Sequence, residues 1–310
     1  MGRTLLALAL FAAAAHAGQT VYQQDCDVPD AATILDTAVQ GAEMVPAEKG
    51  GNFLKLAEDV HAAALKAFPA APETKYRFSF LGRIEDENTV EKNDRAHIEM
   101  LRTYGRFAPA YAILFLDAHG NQIESKFHGC SGAVLTSDWY RYVYVFYSPA
   151  GTRSMKIEFL PRKRPFHADD LEVTVESEEG AVNCNTDFSY GELNYCGWRP
   201  ARDGRLYKRP DGEIVLKSGY GGGSTYFPLH EGKNYRVYVR GQGQVPGGSV
   251  RMNYYDEEVN RLGQRFLLRP TPDGGHVDLA PPPKTRYGSV VMYSVILQEL
   301  KVTALPPGSE

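Results

Sequence analysis

Residues suited to recognition chemistry concentrate in two short stretches. Arg236, Tyr238 and Arg240 alternate along one, and Arg251, Asn253 and Tyr255 along the other. Arginine and asparagine offer directional hydrogen bonds, and tyrosine adds a flat apolar platform with a polar tip. In strands, side chains at alternate positions share a face, so Arg236, Tyr238, Arg251, Asn253 and Tyr255 are candidate ligand-binding residues on one sheet surface. That mixture suits a hydroxylated ligand, with a solvated sheet or domain interface as the alternative. Catalytic constellations are thin. His97, His119, His128 and His167 lack metal spacing, and no G-x-S-x-G is present. Glu85-Asp86-Glu87 could supply the paired carboxylates of glycoside hydrolysis, but adjacent acids in a polar insertion read as a solvated loop. Gly221-Gly222-Gly223 has no Lys-Ser/Thr and helix after it, so it reads as a flexible turn and not a phosphate loop. The expectation is a non-catalytic protein.

The elements that position these residues are set out by an internal repeat. Gly51–Leu56 is similar to Gly212–Lys217, and each is followed by a Phe-Pro pair, Phe68-Pro69 and Phe227-Pro228. Lys75–Phe80 then matches Asn234–Val239, Tyr111–Asp117 matches Val250–Asp256, and Asp170–Thr174 matches Glu299–Thr303. Order is kept across five segments, which implies two homologous units divided near Ser177–Ala181. Most matched segments alternate or are β-branched and aromatic, so each unit reads as a two-sheet sandwich. Helical signal is confined to Ala57–Ala67 and Arg95–Arg102, as short decorations of the first unit. The expected organisation is a leader over 1–17, a first sandwich over 18–178 with an insertion at about 85–109, and a second over 181–305. By strand parity, Tyr76, Phe78, Phe80, Tyr142, Tyr144 and Phe146 belong to the first core, and Tyr235, Val237 and Val239 to the second. The outer positions Ala112, Leu114, Leu116, Val143 and Val145 are apolar, and the insertion is their expected cover.

Arg3, the apolar run Leu5–Ala15 and Ala15-His16-Ala17 have the form of an export leader. The apolar run falls short of the roughly 20 residues that span a bilayer, so a secreted or periplasmic protein without a membrane span is expected. The chain is 43% hydrophobic and 23% charged with a net charge of −4, which argues against a nucleic-acid partner. Four cysteines in an oxidising compartment suggest two disulfides. Cys184 and Cys196 are close in sequence and form the favoured pair, leaving Cys26 with Cys130; zinc is the rival reading.

Asp138–Gly151, with its Trp139-Tyr140-Arg141 start and Ser148-Pro149-Ala150-Gly151 end, resembles a strand of jelly-roll carbohydrate-binding modules of the family 4, 9 and 22 type. Asp169–Val173 is similar to their closing strand, and Asn185–Gly191 with Gly197-Trp198 to their opening. The resemblance implies an all-β fold of two tandem jelly-roll (galactose-binding-like) β-sandwiches and a carbohydrate or other polyhydroxylated ligand. It also implies that Trp139 and Trp198 pack at the sandwich edge. A structural Ca²⁺ near the chain ends is a further implication, with Asp169 or Asp170 as ligands in the first copy and Asp187 with Glu299 in the second. A secreted carbohydrate-binding protein is therefore the leading expectation. A structural or protein-interaction scaffold is the alternative, and an unrecognised hydrolase stands behind both.

Overall fold

The computed structural model describes residues 18–48, 50–85, 110–123, 131–134, 136–162, 164–176, 180–194, 196–199 and 204–306. The leader, the insertion beyond Glu85, Arg95–Arg102 and Cys130 lie outside the described residues. In the first half the strands are β1 (Thr20–Gln24), β2 (Ala42–Pro46), β3 (Asn52–Leu56), β4 (Ala63–Ala64), β5 (Phe68–Pro69) and β6 (Lys75–Ile84). They are followed by β7 (Ala110–Leu116), β8 (Ser131–Ala133), β9 (Tyr140–Tyr147), β10 (Ser154–Leu160) and β11 (Phe166–Val175). One sheet runs β2-β3-β11-β6-β9 with β1 on β11; the other runs β4-β10-β7-β8 with β5 on β10. Alternation puts Phe78, Phe80, Tyr142 and Tyr144 of the first sheet against Tyr111, Ile113, Ile157 and Phe159 of the second. Their rings meet edge to face, Phe80 with Tyr111 at 5.1 Å between centroids.

The second half contains β12 (Trp198–Arg199), β13 (Arg205–Lys208), β14 (Ile214–Ser224), β15 (Phe227–Pro228), β16 (Tyr235–Gly243) and β17 (Ser249–Tyr255). It closes with β18 (Arg261–Leu268), β19 (Gly275–Leu279) and the long β20 (Tyr287–Ala304). Hydrogen bonding joins them into one sheet that doubles over, because β14 and β20 each serve both layers. The end of β20 pairs with β16, and its start pairs with β17 and β15. The bend falls at Ser294, whose φ is +50°. Further along β20 a bulge at Gln298 is faced by Gly241, where a Cβ would lie 2.3 Å from Ile296 O. Tyr235, Val237 and Val239 of one layer pack on Val250, Met252 and Tyr254 of the other. In the first sandwich the counterparts of β20 are two strands, β10 and β11, because Pro161 and Pro165 lie between them and cannot donate to a ladder.

The repeat therefore holds in several matched segments. Phe68 and Phe227 pair with β10 and β20 at matching positions. Tyr76 OH accepts from Ala71 N at 2.8 Å, and Tyr235 OH from His230 N at 2.9 Å. Asp117 accepts from Asn121 N at 2.9 Å, and Asp256 from Asn260 N at 2.7 Å, each closing the turn after its strand.

Three expectations need correction. Ala57–Ala67 is not helical: Ala63 and Ala64 pair with Phe159 and Glu158, and Leu65 N donates to Ile157 O. A run this short is marginal as a helix, and β10 offers its backbone a ladder. Among the described residues the helical decoration is instead a 3-10 turn at Ala31–Thr33, capped by the Asp30 side chain. Gly221–Gly223 is not a turn but part of β14, paired across β20. Gly221 takes φ +86° at a bulge, and a Cβ on Gly223 would lie 2.5 Å from Val290 O. Finally, Val143 and Val145 are covered by Cys184 and Cys196, from the segment leading into the second sandwich.

That segment also ties the sandwiches together. The buried Lys75 ammonium donates to Asn183 O at 2.7 Å and Ala181 O at 3.4 Å. Asn194 Oδ1 accepts from Val143 N at 2.9 Å, and Arg286 pairs with Glu73. Cys184 and Cys196 are brought into one buried cluster but no disulfide joins them, and Cys196 Sγ donates to Val143 O at 2.9 Å. Cys26 is buried, and burial foremost pushes its thiol up to about 12.

Candidate functional site

Parity was read correctly within each of the two candidate strands, and both present the named residues outward. The structure does not bring all five together. β16 and β17 do not pair, and they belong to opposite layers whose inward residues face each other. Arg236 and Tyr238 therefore look out from one side of the sandwich, and Arg251, Asn253 and Tyr255 from the other. Arg236 is engaged in a two-pronged pair with Asp278, both bonds 2.8 Å, which holds the Asp278 carboxyl below its usual range. Tyr238 lies over Gly274 across the strand pair.

Arg251, Asn253 and Tyr255 fall in a larger constellation on the layer ordered β14-β20-β17-β18. Register places Ser289 beside Asn253, Gln264 on the far side of Asn253, Phe266 beside Arg251, and Tyr220 beside Tyr293. A directional relay fixes the polar groups. Arg251 Nη1 donates to Gln264 Oε1 at 3.1 Å, and Gln264 Nε2 donates to Asn253 Oδ1 at 2.9 Å. Asn253 Nδ2 then donates to Tyr255 OH at 3.2 Å, as Ser289 Oγ does at 3.4 Å. Both amides are thereby held in one orientation, and the Tyr255 hydroxyl keeps its own proton to donate outward.

Aromatic rings border the relay. The Arg251 guanidinium lies 4.7 Å from the Tyr293 centroid, and Tyr293 meets Tyr220 edge to face at 4.8 Å. Tyr226 meets Tyr255 likewise at 4.8 Å. Tyr220 is 83% exposed and Phe266 52%, so large apolar side chains stand in water beside ordered donors. Tyr220, Tyr293, Gln264, Phe266 and Ser289 were missed in the sequence. Tyr220 sat beside glycines read as a turn, whereas outer-face alternation along Ser289-Val290-Val291-Met292-Tyr293 could have found Tyr293 and Ser289.

The other candidates lead elsewhere. Trp198 is buried in the second core, its Nε1 donating to Cys184 O and Asn185 O. Trp139 packs under Arg83 and against Phe53 on the first sandwich. Glu85 pairs with Lys55 at 3.0 Å, while Asp86, Glu87, His97 and His128 lie outside the described residues. The residues suggested for calcium are engaged as follows. Asp170 is paired with Arg141, and Asp169 accepts from Asp170 N, its pKa raised chiefly by burial. Among the described residues no three His, Cys, Asp or Glu converge on a point that could hold a metal. Nor is any helix among them long and apolar enough to cross a membrane.

Among solved structures, the chain is similar to the tandem CBM22-1–CBM22-2 domain of Paenibacillus barcinonensis Xyn10C. Identity is 11%, covering 94% of this chain and 99% of that one, with a TM-score of 0.36. It is also similar to the CBM6 module of Cellvibrio mixtus lichenase 5A, described in complex with cellotriose, at 7% identity over 51% of this chain and 100% of that one (TM-score 0.30). A third likeness is to the CBM22-1–GH10 modules of Clostridium thermocellum xylanase 10B, at 9% identity over 53% of this chain and 29% of that one (TM-score 0.36). These are modules of the kind that the sequence motifs resemble. No family model and no curated protein matches the sequence.

Proposed function

We propose that this is an exported, non-catalytic protein whose second sandwich binds carbohydrate on the outer face of β14, β20, β17 and β18. The observation that carries the reading is the exposed Tyr220 and Phe266 flanking a relay of oriented donors and acceptors. Sugar rings present apolar C–H faces ringed by hydroxyls, which require such alternation of aromatic platform and directional polar group. On this layer no Asp or Glu stands on the outward positions of β17, β18, the start of β20 or β14 from Tyr220 onward, which supports binding without hydrolysis, since glycosidases use two carboxylates. Export is supported by the leader pattern of the first seventeen residues.

Affinity electrophoresis of the mature chain against soluble polysaccharides tests the reading. At least one should retard the protein, and Tyr220→Ala should weaken that binding several-fold to tenfold, the equivalent of about 1 kcal/mol. A chain that no polysaccharide retards, or a Tyr220→Ala variant that binds as well as the parent, would refute it.

A further inference from the structure

On the premise that this face binds a glycan, we infer that the glycan is acidic, and that Arg251 receives its carboxylate or sulfate. The outward residues of β17, of the start of β20 and of their partners are Tyr, Ser, Asn, Gln, Val and Phe, with two arginines among them: Arg251 at the centre of the relay and Arg261, exposed beside Tyr255 at the start of β18. Among the described residues the Arg251 guanidinium has no carboxylate partner. One nitrogen donates to the neutral Gln264, the Tyr293 ring lies against it, and the buried Nε–H has no acceptor. The ring contact is worth about 0.5–1 kcal/mol and leaves the full positive charge in place.

Several of the protein's other outward-facing arginines on strands are neutralised. Arg236 has Asp278, Arg240 has Glu213 and Glu299, and Arg141 has Asp170. The repeat supplies a sharper control. In the first sandwich the residues matching Arg251, Asn253 and Tyr255 are Ala112, Leu114 and Leu116, and the cation on the neighbouring strand, Lys156, is paired with Asp36. The cation on this layer of the first copy thus has its counter-ion within the chain, whereas Arg251 has none among the described residues. A partly buried guanidinium held in fixed orientation, with donors to spare, is built for a planar or tetrahedral oxyanion, which it meets with paired hydrogen bonds. The chain as a whole carries −4, so general attraction for polyanions does not account for such binding; contact at Arg251 does.

The test compares matched polysaccharides with the intact mature chain. Polygalacturonate is set against its fully methyl-esterified form, and a sulfated galactan against the same polymer desulfated. We expect the charged member of at least one pair to bind tenfold or more tightly than its neutral counterpart, the responding pair telling carboxylate from sulfate. Arg251→Met should collapse that ratio to near one, and Arg251→Lys, which keeps charge but loses the fork, should leave it intermediate. If Arg251→Met does not fold, as read by its thermal melt, the wild-type ratios alone decide. Equal or tighter binding of the neutral members, or a ratio unchanged in Arg251→Met, overturns the acidic-ligand inference and leaves carbohydrate binding intact. Failure to bind any member of either pair, or any neutral polysaccharide, refutes carbohydrate binding itself.

Discussion

Replacing Asn183 with alanine tests how the second sandwich is closed. Leu300 and Val302 of β20 turn their backbone groups toward the incoming segment. Backbone satisfies half of them: Val182 N donates to Val302 O, and Leu300 N donates to Thr186 O. The Asn183 side chain, fully buried, satisfies the rest. Its Nδ2 donates to Leu300 O at 2.8 Å, and its Oδ1 accepts from Val302 N at 2.8 Å. In the first sandwich this edge is covered by β1, a strand paired with β11 through a bulge at Thr20–Tyr22; in the second a single amide completes the ladder. Asn183→Ala orphans one buried N–H and one buried C=O, each costing about 1–3 kcal/mol, so roughly 2–6 kcal/mol together. Urea unfolding followed by the emission of Trp198, in a Trp139→Phe background, reads the second sandwich alone. Asn183→Asp should not rescue it, because Leu300 O still loses its donor and a charge is buried. A loss below about 1 kcal/mol for Asn183→Ala would refute the reasoning.

Three further outcomes follow from the same geometry. Burial first, and Arg83 second, hold the His167 imidazole down to about 4, with Arg83 Nε donating to its Nδ1. The unfolded state then binds the proton more tightly, so this group's contribution is complete above the ordinary value near 6.5 and is lost as pH falls toward 4. Urea midpoints between pH 7 and 4 should fall less steeply in His167→Phe, and parallel slopes would count against it. Asp117→Ala and Asp256→Ala should each cost about 1 kcal/mol by opening equivalent turns, and the double variant should show the sum within about 0.5 kcal/mol, because they share no partner; marked coupling in denaturant titrations would contradict this. A fragment beginning at Ala181 should melt cooperatively but well below the intact chain, because it uncovers Cys184 and Cys196 and removes Lys75 from Ala181 O and Asn183 O; an equal melting temperature would show the junction to be idle.

Alternation exposed the cores. Tyr76, Phe78, Phe80, Tyr142, Tyr144, Phe146, Tyr235, Val237 and Val239 are all inward as parity requires, since one wrong register would turn every side chain of a strand into water. The repeat was legible for the same reason. Which strands are neighbours was not. Consecutive strands usually pair, and that expectation placed β16 beside β17; β20 instead takes one on each layer. The Ala57–Ala67 reading failed similarly, because local composition favoured a helix where a distant strand supplied the hydrogen bonds.

Duplication explains why the candidate face could not be found from either copy alone. Both sandwiches build the same layer with the same register, so nothing in the strand pattern distinguishes a binding surface from a covered one. What differs is the side chains carried outward at equivalent positions. Ala112, Leu114 and Leu116 stand where Arg251, Asn253 and Tyr255 do, and Lys156 and Leu160 stand where Ser289 and Tyr293 do. Each inward partner is apolar in both copies, because the core tolerates nothing else. The outer face is free to diverge, and it did so as a set: relay, tyrosine ring and Arg251 occur together in the second copy, whereas the matching positions of the first hold aliphatic side chains and a lysine paired with Asp36. Five outward positions changing together toward one chemistry are what a ligand requires, whereas a merely solvated sheet has no need to orient its amides or leave Tyr220 in water.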